Sequence, residues 1–517
     1  MRLYNLTAKS LWYDEASSIV DGLRSFNFIS QPTGNYKLVY AYLLKVWLEI
    51  FGVSALAARL LSVIFGIGSI FLIFLIGKSL FNKGIGLISS FLLAVSCFHI
   101  YHSQQVKYIA FLLFLALSSL SCFIEFIRKN KIRFLMINSM LNILIIYTHP
   151  FGFSIILVQF LYVFFSYHSM DKKELKKWCL LQLPLLFVSL LWAVLIISEK
   201  KHLRTILWWA QLPSIHSLTE TFKTFCYGGP RYGINDDANI QTCPVDVARL
   251  LIFIFGALFT RGMLHISKYR SKINESLLIL WLLLPIVLGF LFSYLFYHIY
   301  FIKLFLISLP AFYLIVAIGI YHGNKLYHML GILLLISWLN VSPLKAMYKN
   351  DTHVDWQKTA FIMKQQHISD DATIIISTCK EVVPFMYYLS NADKADLKDI
   401  GMFGKFTSGH WQDSFRYKNH QIIAIANELG QKEDAYYALD KSGITNKTYD
   451  FNYILADFDR KVMQKDVLDT NKEVWLLVSR WTGEEYNRQA MVEKLNKYLK
   501  MAFKEETGGV RIYRFEP

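Results

Sequence analysis

Charged groups in a strongly apolar sequence are the first candidates for chemistry, because placing charge at or in hydrocarbon is costly. An adjacent acidic pair, Asp14 and Glu15, lies in the segment LWYDEASS, directly after two aromatic residues. Cationic and imidazole side chains occupy four further positions at or near the ends of apolar segments: Lys37, Lys107, His149 and Lys303. The last three belong to the segments YHSQQVKY, THPFGF and YFIKLFLISLP.

Carboxylates and fixed cations on one side of a membrane form a set with a chemical logic. A carboxylate can act as general base on an acceptor hydroxyl or amine. Fixed cations can hold a phosphate and stabilise the charge that builds on it as it leaves. Together these functional groups could catalyse the transfer of a sugar from a lipid phosphate at the membrane surface.

Each candidate also has a simpler interpretation. The pair Asp14 and Glu15 can be solvated in an exterior loop. A lysine near the end of a span can extend to the lipid headgroups, and His149 beside a proline can terminate a helix. The functional interpretation therefore depends on whether the acids and cations share one face of the membrane.

The apolar composition predicts the elements that position these residues. Hydrophobic residues make up 54% of the 517, above the ~45–50% typical of soluble domains. Several nearly uncharged segments are long enough to cross ~30 Å of hydrocarbon. Ten spans are predicted, at residues 56–77, 84–101, 107–127, 134–149, 151–168, 179–198, 247–264, 276–296, 302–321 and 328–346. Tyr36–Phe51 is short and charged, so it is predicted to lie along the membrane surface.

The net charge of +16 is concentrated in the apolar part of the chain. From Asn350 onwards there are 23 Lys and Arg against 25 Asp and Glu, which leaves 31 basic and 13 acidic residues before it. Basic cytoplasmic loops account for this excess. Nucleic-acid binding is excluded, because no basic surface with interleaved aromatic residues is needed to explain the charge.

The loops between the spans are of two kinds. Basic loops lie at Lys78–Lys83, Arg128–Arg133, Asp171–Lys177 and Lys268–Lys272. Nearly uncharged turns alternate with them at Tyr101–Gln105, Thr148–Gly152 and Tyr297–Tyr300. The positive-inside rule places the basic loops in the cytoplasm. The uncharged turns, the acidic pair and the chain after about Lys345 are then expected on the outer face.

The predicted fold class is a polytopic α-helical membrane protein, with about ten or eleven transmembrane helices and a C-terminal extracytoplasmic α/β domain. The multi-span domain is expected at residues 1–347, with a first outer loop at 1–55 and a long outer loop at 199–245. The soluble domain follows at 348–517. Its predicted strands are Thr373–Ser377, Glu473–Ser479 and Val510–Phe515, and helical periodicity covers 354–367 and 484–503.

The cysteines and acids leave two chemical questions open. The six cysteines form no CxxC pair and no zinc spacing. Cys226 and Cys243 share the long outer loop, a plausible mobile cover over the site, and can form a disulfide if it faces an oxidising space. Asp14 and Glu15 can contribute to a Mg²⁺ or Mn²⁺ site, but two adjacent carboxylates do not make one.

An ordered set of motifs resembles the C-type integral-membrane glycosyltransferases. The branch in question comprises the dolichyl-phosphate-mannose protein mannosyltransferases and the lipid A aminoarabinose transferases. The matching segments are LWYDEASS, FGVSALAARLLSVIFG, YHSQQVKY, THPFGF, IKLFLISLPAF, Asp355-Trp356, VWLLVS and VRIYRF. They follow the family's order over most of the chain.

The resemblance implies an inverting transfer from a polyprenyl-phosphate-linked sugar donor to a lipid, glycan or protein acceptor. It places the active site on the outer face of a plasma membrane, or the inner membrane of a bacterium. Asp14 is then the catalytic base, with Glu15 assisting or orienting it. Lys107 and Lys303 would bind the donor phosphate, with a weaker assignment for Lys37. Three further residues would line the cavity: Gln104, Tyr108 and His149.

The sequence departs from the family's pattern at several places. Lys107 and Lys303 stand where the family often has arginine, which keeps the charge but loses the bidentate fork. Gln105 replaces a glutamate, and Lys37 begins the segment that replaces Pro-Pro-Leu. The family also has a span before the acidic loop, whereas this chain begins 13 residues ahead of Asp14. A start set too late in the gene is expected, the alternative being a missing span.

The alternative from another class is a transporter or flippase of lipid-linked sugars. Such a protein should carry ionisable residues near mid-membrane and often has repeated or broken helices. In this sequence the charges gather at the outer ends of spans and no internal repeat is visible. A catalytically silent relative that only binds a partner is a third possibility.

Overall fold

The structure is a computed structural model, and it describes most of the chain. The described residues are 1–24, 37–169, 171–198, 212–228, 243–269, 272–295, 299–349, 354–377, 381–397, 414–425, 458–463, 472–479 and 485–517. The chain is helical up to Lys349, and a sheet with flanking helices follows. The proposed boundary at residues 347 and 348 stays a prediction.

The helical region begins with two helices outside the predicted spans, α1 (Tyr13–Leu23) and α2 (Leu38–Phe51). The helices that follow are α3 (Ala55–Leu80), α4 (Lys83–Val95), α5 (Cys97–Ser103), α6 (Tyr108–Lys129), α7 (Ile132–Thr148), α8 (Phe153–Phe165), α9 (Lys172–Ser198), α10 (Ile215–Tyr227), α11 (Val245–Ile266), α12 (Lys272–Leu295), α13 (Leu309–Tyr321) and α14 (Leu326–Lys349). Short 3₁₀ helices lie at Pro150–Gly152, Tyr167–Ser169, Ser267–Tyr269 and Ile302–Ile307.

The helices confirm a multi-pass membrane protein. Among the described residues, five helices are long and apolar enough to cross a membrane: α3, α6, α11, the part of α12 from Glu275 to Leu295, and α14. The bent pair α4 and α5 makes a sixth if it is one span. Shorter apolar helices are Ile132–Thr148, Pro150–Phe165 and Leu309–Tyr321.

The predicted span at 84–101 is wrong in detail, because α4 and α5 meet at an angle of 64°. Ser96 separates them, and its side chain accepts the backbone N–H of His99. The bend frees carbonyl groups at the end of α4, and Arg2 donates to two of them, at 3.2 Å from Leu93 and 3.1 Å from Ala94. A cation at a helix C-terminus satisfies groups that would otherwise lack partners.

The predicted span at 302–321 is also divided. Residues Ile302–Ile307 form a 3₁₀ helix, and the α-helix starts only at Leu309. Pro310 lies in the first turn of α13, where its missing N–H costs no hydrogen bond. Lys303 therefore lies in the short connection before α13, outside the membrane-spanning helix.

A buried polar cluster ties the helices that end at the candidate site. Asn138 on α7 donates to Gln159 on α8 at 3.0 Å, and its amide also reaches the hydroxyl of Ser119 on α6 at 3.0 Å. Gln159 in turn donates to Ser119 at 2.8 Å. Hydrogen bonds between helices at this depth hold their relative positions, and so fix the ends of α6 and α7.

In the last third of the chain, the described residues form a six-stranded sheet with the order β2-β3-β1-β4-β6-β5. The strands are β1 (Thr373–Ile376), β2 (Ser414–Tyr417), β3 (His420–Ala424), β4 (Val474–Ser479), β5 (Lys500–Thr507) and β6 (Val510–Glu516). Strand β1 is parallel to β3 and β4, whereas the outer pairs are antiparallel. The helices here are α15 (Trp356–Gln365), α16 (Val382–Leu389) and α17 (Glu485–Asn496).

The three predicted strands and the helix at 354–367 are confirmed, but the helix at 484–503 is too long. It ends at Asn496, and residues from Lys500 onwards form β5, which pairs with β6. Gly508 and Gly509 join these strands with φ of 50° and 81°. Glycine adopts this left-handed conformation without the steric cost of a side chain.

The sheet region contacts the segment that leads into α1. Tyr388 on α16 accepts the backbone N–H of Leu11 at 2.7 Å, and its neighbour Tyr387 donates to the carbonyl of Val53 at 2.7 Å. The N–H of Gln357 also reaches Ser10 at 3.3 Å. These contacts hold the beginning of α1 between the membrane helices and the sheet.

We predict that Gly319→Ala on α13 destabilises the helical bundle. A Cβ atom at this position would lie 2.1 Å from the carbonyl oxygen of Leu258 on α11, so the two helices must separate. The expected loss is about 1–3 kcal/mol in the free energy of unfolding, measured by thermal unfolding in detergent. Gly331→Ala on α14 is the control, because a Cβ there meets nothing within 4 Å. Equal stability of the two variants would contradict the packing described.

Candidate active site

The acidic pair lies in the first turn of α1, where a negative charge is favoured by the helix dipole. Successive helical residues point about 100° apart, so the two carboxylates enter different surroundings. The side chain of Glu15 is 2% exposed, whereas that of Asp14 is 29% exposed. Only Asp14 is therefore available to a ligand.

Both carboxylate oxygens of Glu15 bind one arginine. Arg59 on α3 donates from Nε to Oε1 at 2.9 Å and from Nη2 to Oε2 at 2.7 Å. Glu15 Oε1 also accepts the backbone N–H of Val106 at 3.0 Å. The pair thus joins α1, α3 and the loop that carries Lys107.

The same arginine fixes the chain before α1. Its Nη1 atom donates to the carbonyls of Leu6 at 2.6 Å and Lys9 at 2.9 Å, and Nη2 reaches that of Ser10 at 3.3 Å. Sequence reasoning did not assign Arg59 to the site. The available signal was a lone arginine within the first long apolar span, since such a charge requires a partner.

Asp14 forms an ion pair with Lys107, which immediately precedes α6. The ammonium group also lies 3.8 Å from the centroid of the Trp12 ring, and only 7% of the lysine side chain is exposed. Burial would raise the pKa of Asp14, but Lys107, Lys303 and Lys37 together hold that pKa below its usual value. The carboxylate is consequently ionised and electrostatically coupled to three cations.

The remaining candidates lie around the same carboxylate. Lys37 Nζ is 4.9 Å from the ring centroid of Tyr108, and this ring stacks on His149 at 4.6 Å with an interplanar angle of 7°. Lys303 Nζ lies 5.5 Å from the ring centroid of Phe301. The structure thus brings together five predicted residues around Asp14: Lys37, Lys107, Tyr108, His149 and Lys303.

Two of the cations have lowered pKa values. Burial lowers the pKa of Lys107, against the opposing effect of Asp14. Burial also lowers the pKa of Lys303, and the positive charge of Lys37 contributes to this shift. Each lysine therefore loses its proton at a lower pH than an exposed lysine would.

Gln104 makes contacts different from those expected of a cavity residue. Its amide group donates to the carbonyls of Arg2 at 3.0 Å and Tyr4 at 3.1 Å. These bonds attach the first residues of the chain to the loop before α6. The Gln104 side chain therefore holds the N-terminal segment in place, and its hydrogen bonds are not made to Asp14.

The donor set does not fit a divalent cation at the acidic pair. Asp14 is paired with Lys107 and Glu15 with Arg59, and the described residues contain no group of three or more His, Cys, Asp or Glu suited to a metal. A Mg²⁺ or Mn²⁺ ion at this pair would have to displace both cations.

The predicted cover over the site lies partly outside the described residues, since 199–211 and 229–242 are not among them. Between these two ranges the structure contains α10. Cys226 and Cys243 are both buried free thiols. The possible disulfide between them is therefore not formed in this structure.

Comparison with known proteins supports the resemblance seen in the motifs. The family model described as dolichyl-phosphate-mannose-protein mannosyltransferase matches residues 31–196. This range contains Arg59, Lys107 and His149, and it ends before Lys303. A search of curated protein sequences finds no match.

Solved structures share the fold over nearly the whole chain. ArnT from Cupriavidus metallidurans in the apo state has a TM-score of 0.58 at 11% identity, covering 99% of this chain and 95% of that one. ArnT bound to undecaprenyl phosphate gives 0.55 at 10% identity, with the same coverage. The archaeal oligosaccharyltransferase AglB from Archaeoglobus fulgidus, in complex with an inhibitory peptide and a dolichol-phosphate, gives 0.51 at 14% identity. That match covers 99% of this chain and 71% of the AglB chain.

These likenesses confirm the predicted fold class. The chain shares its fold with the ArnT and AglB structures, a helical bundle followed by a small sheet region. At 10–14% identity they establish the fold alone. The chemistry of this chain must be argued from its own residues.

We predict that Glu15→Ala strongly destabilises the protein, because it leaves the buried guanidinium of Arg59 without its anion. The expected loss is about 3–5 kcal/mol in the free energy of unfolding, measured by thermal unfolding in detergent. Asp246→Ala is the matched control, because Asp246 is 96% exposed and lies 3.8 Å from Arg249. A loss as small as that of the control would contradict the structural role of the Glu15–Arg59 pair.

Proposed function

We propose that this protein transfers a sugar from a polyprenyl-phosphate-linked donor to an acceptor at the outer face of the membrane, with Asp14 as general base. One observation carries the proposal, namely that the accessible carboxylate of Asp14 is electrostatically coupled to Lys37, Lys107 and Lys303. The family match and the fold shared with a structure bound to undecaprenyl phosphate support it.

The lysines supply the means of binding the donor phosphate. Three ammonium groups act on one carboxylate, so the cluster carries an excess of positive charge once the paired Glu15 and Arg59 are set aside. In a largely buried site such cations attract a phosphate and stabilise the charge that develops on it as it leaves.

The carboxylate becomes a better base once the donor is bound. Without donor, Lys107 pairs with Asp14 and weakens its affinity for a proton. A bound phosphate competes for the ammonium groups, which raises the pKa of the carboxylate. Donor binding therefore prepares Asp14 to accept a proton from the acceptor.

The transfer itself is a single displacement. The acceptor oxygen or nitrogen forms a bond to the anomeric carbon, while the bond from that carbon to the phosphate oxygen breaks. The electron pair of the broken bond leaves with the polyprenyl phosphate, and Asp14 takes the acceptor's proton. One displacement inverts the configuration at the anomeric carbon.

Charge and packing together support a site at the outer face. Basic loops are expected in the cytoplasm, and the candidate residues lie at the opposite ends of the helices. The sheet region contacts the segment before α1 through Tyr387 and Tyr388. An outer-face site beside this region suits a lipid, glycan or protein acceptor in the cell envelope.

We predict that Asp14→Asn lowers transfer from the lipid-linked donor by a factor of about 10²–10⁴, the usual contribution of a general base. Polyprenyl phosphate binding should not weaken, because the substitution replaces a carboxylate by a neutral amide and so adds no charge that repels the phosphate. The assay is sugar transfer in membranes that contain the purified donor. Asp246→Asn is the matched control, since it makes the same chemical change at a carboxylate that is 96% exposed, and it should retain most of the activity.

Full activity of Asp14→Asn would contradict its role as base. Donor translocation without any transfer product in the wild-type protein would instead support a flippase. The two outcomes are separated by following the labelled sugar and the labelled lipid in the same vesicles.

We predict that donor binding weakens as the pH rises above neutrality. Burial lowers the pKa values of Lys107 and Lys303, so their positive charges are present at low pH and are lost as the pH rises through these values. The variant Lys107→Arg with Lys303→Arg should move the decline in donor kcat/KM to higher pH, because arginine stays protonated. Lys129→Arg, at the other end of α6, is the control. A profile unchanged by the double variant would contradict the phosphate-binding assignment.

A further inference from the structure

His149 lies in the turn between α7 and α8 with one ring nitrogen already engaged. The backbone N–H of Phe151 donates to Nδ1 at 3.1 Å. A nitrogen that accepts a hydrogen bond carries no proton, so in the neutral ring the proton lies on Nε2. Backbone geometry thus selects the tautomer that has an Nε2–H donor.

That donor is free and reachable. Within the described part of the chain, Nε2 has no hydrogen-bond partner. It also retains solvent-accessible area, unlike the fully buried polar atoms that lack a partner. The imidazole is half-buried, and its ring stacks on Tyr108, the residue next to Lys107. The stack limits rotation of the ring, so Nε2 keeps one direction.

The lysines around the imidazole favour its neutral form. Burial lowers the pKa of His149 to about 3, and the positive charges of Lys37 and Lys303 add to this shift. Over the physiological range the ring therefore remains an uncharged donor. Its N–H persists as the pH rises through the lowered pKa values of Lys107 and Lys303.

We propose that His149 helps to bind the lipid-linked sugar, with its Nε2–H donating a hydrogen bond to a phosphate oxygen. The same N–H would donate to the polyprenyl phosphate that leaves after transfer. This inference rests on the proposed function, because it assumes that Lys37 and Lys303 bind that phosphate. The fixed tautomer and the reachable Nε2 point to a ligand.

The test compares two substitutions that both remove the Nδ1 acceptor. His149→Phe keeps an aromatic ring against Tyr108 but has no donor, whereas His149→Gln keeps an N–H at a similar reach without the ring. The probes are undecaprenyl phosphate and undecaprenol, which lacks the phosphate. Their affinities are measured by fluorescence titration of the full-length protein in detergent, after thermal unfolding has shown that each variant is folded.

His149→Phe should weaken undecaprenyl phosphate binding by about 10- to 100-fold, the effect of losing one hydrogen bond to a charged group. His149→Gln should stay close to the wild type, and neither variant should change undecaprenol binding. The ratio of the wild-type kcat/KM to that of His149→Phe, measured for the lipid-linked sugar, should stay constant from pH 6 to 9. The reason is that the imidazole N–H removed by the substitution does not titrate in this range.

The inference would be overturned if His149→Phe bound undecaprenyl phosphate as the wild type does. It would also be overturned if undecaprenol binding fell by the same factor, because the histidine would then serve packing alone. Both outcomes leave the proposed function intact, since the wild type still binds the phosphate. Failure of the wild type to bind undecaprenyl phosphate would overturn the proposed function as well.

Discussion

The buried pair of Glu15 and Arg59 is the interaction on which the rest of the candidate site depends. An ionised side chain within an apolar bundle is stable only when its charge and its hydrogen bonds are satisfied. Arg59 meets this requirement with both oxygens of Glu15 and three carbonyls of the chain before α1. Glu15 in turn accepts the N–H of Val106. Asp14 and Lys107 are each next in sequence to a member of this network, so their positions follow from it.

Adjacent acids thus have separate tasks set by their surroundings. Both carboxylate oxygens of Glu15 are bound by Arg59, and one also accepts the N–H of Val106. Asp14 instead faces a cluster with more positive than negative charge. In the absence of a phosphate, Lys107 binds the carboxylate; when a phosphate is present, the same cation has a second partner. In the proposed mechanism, the phosphate and the base are coupled through this one ammonium group, so the donor is expected to bind before the acceptor.

Much of the architecture could be predicted from the sequence, because hydropathy and loop charge are local properties. They located most of the apolar helices and the strands β1, β4 and β6, and they predicted that Asp14, Lys107 and Lys303 share one end of the bundle. The partner of Glu15 could not be predicted, since Arg59 reaches it only through tertiary packing. Nor could the bend at Ser96, where Arg2 donates to the carbonyls of Leu93 and Ala94. The same holds for strand β5, whose residues from Lys500 also suit a helix until β6 pairs with them.

The most direct test of this account is an experimental structure of the protein with polyprenyl phosphate bound. We expect the phosphate oxygens within hydrogen-bond distance of Lys107 and Lys303, and the ammonium group of Lys107 moved from Asp14 towards the phosphate. The Glu15–Arg59 pair should be unchanged. A phosphate bound away from these lysines, or one bound while Lys107 keeps its full contact with Asp14, would contradict the coupling of donor and base.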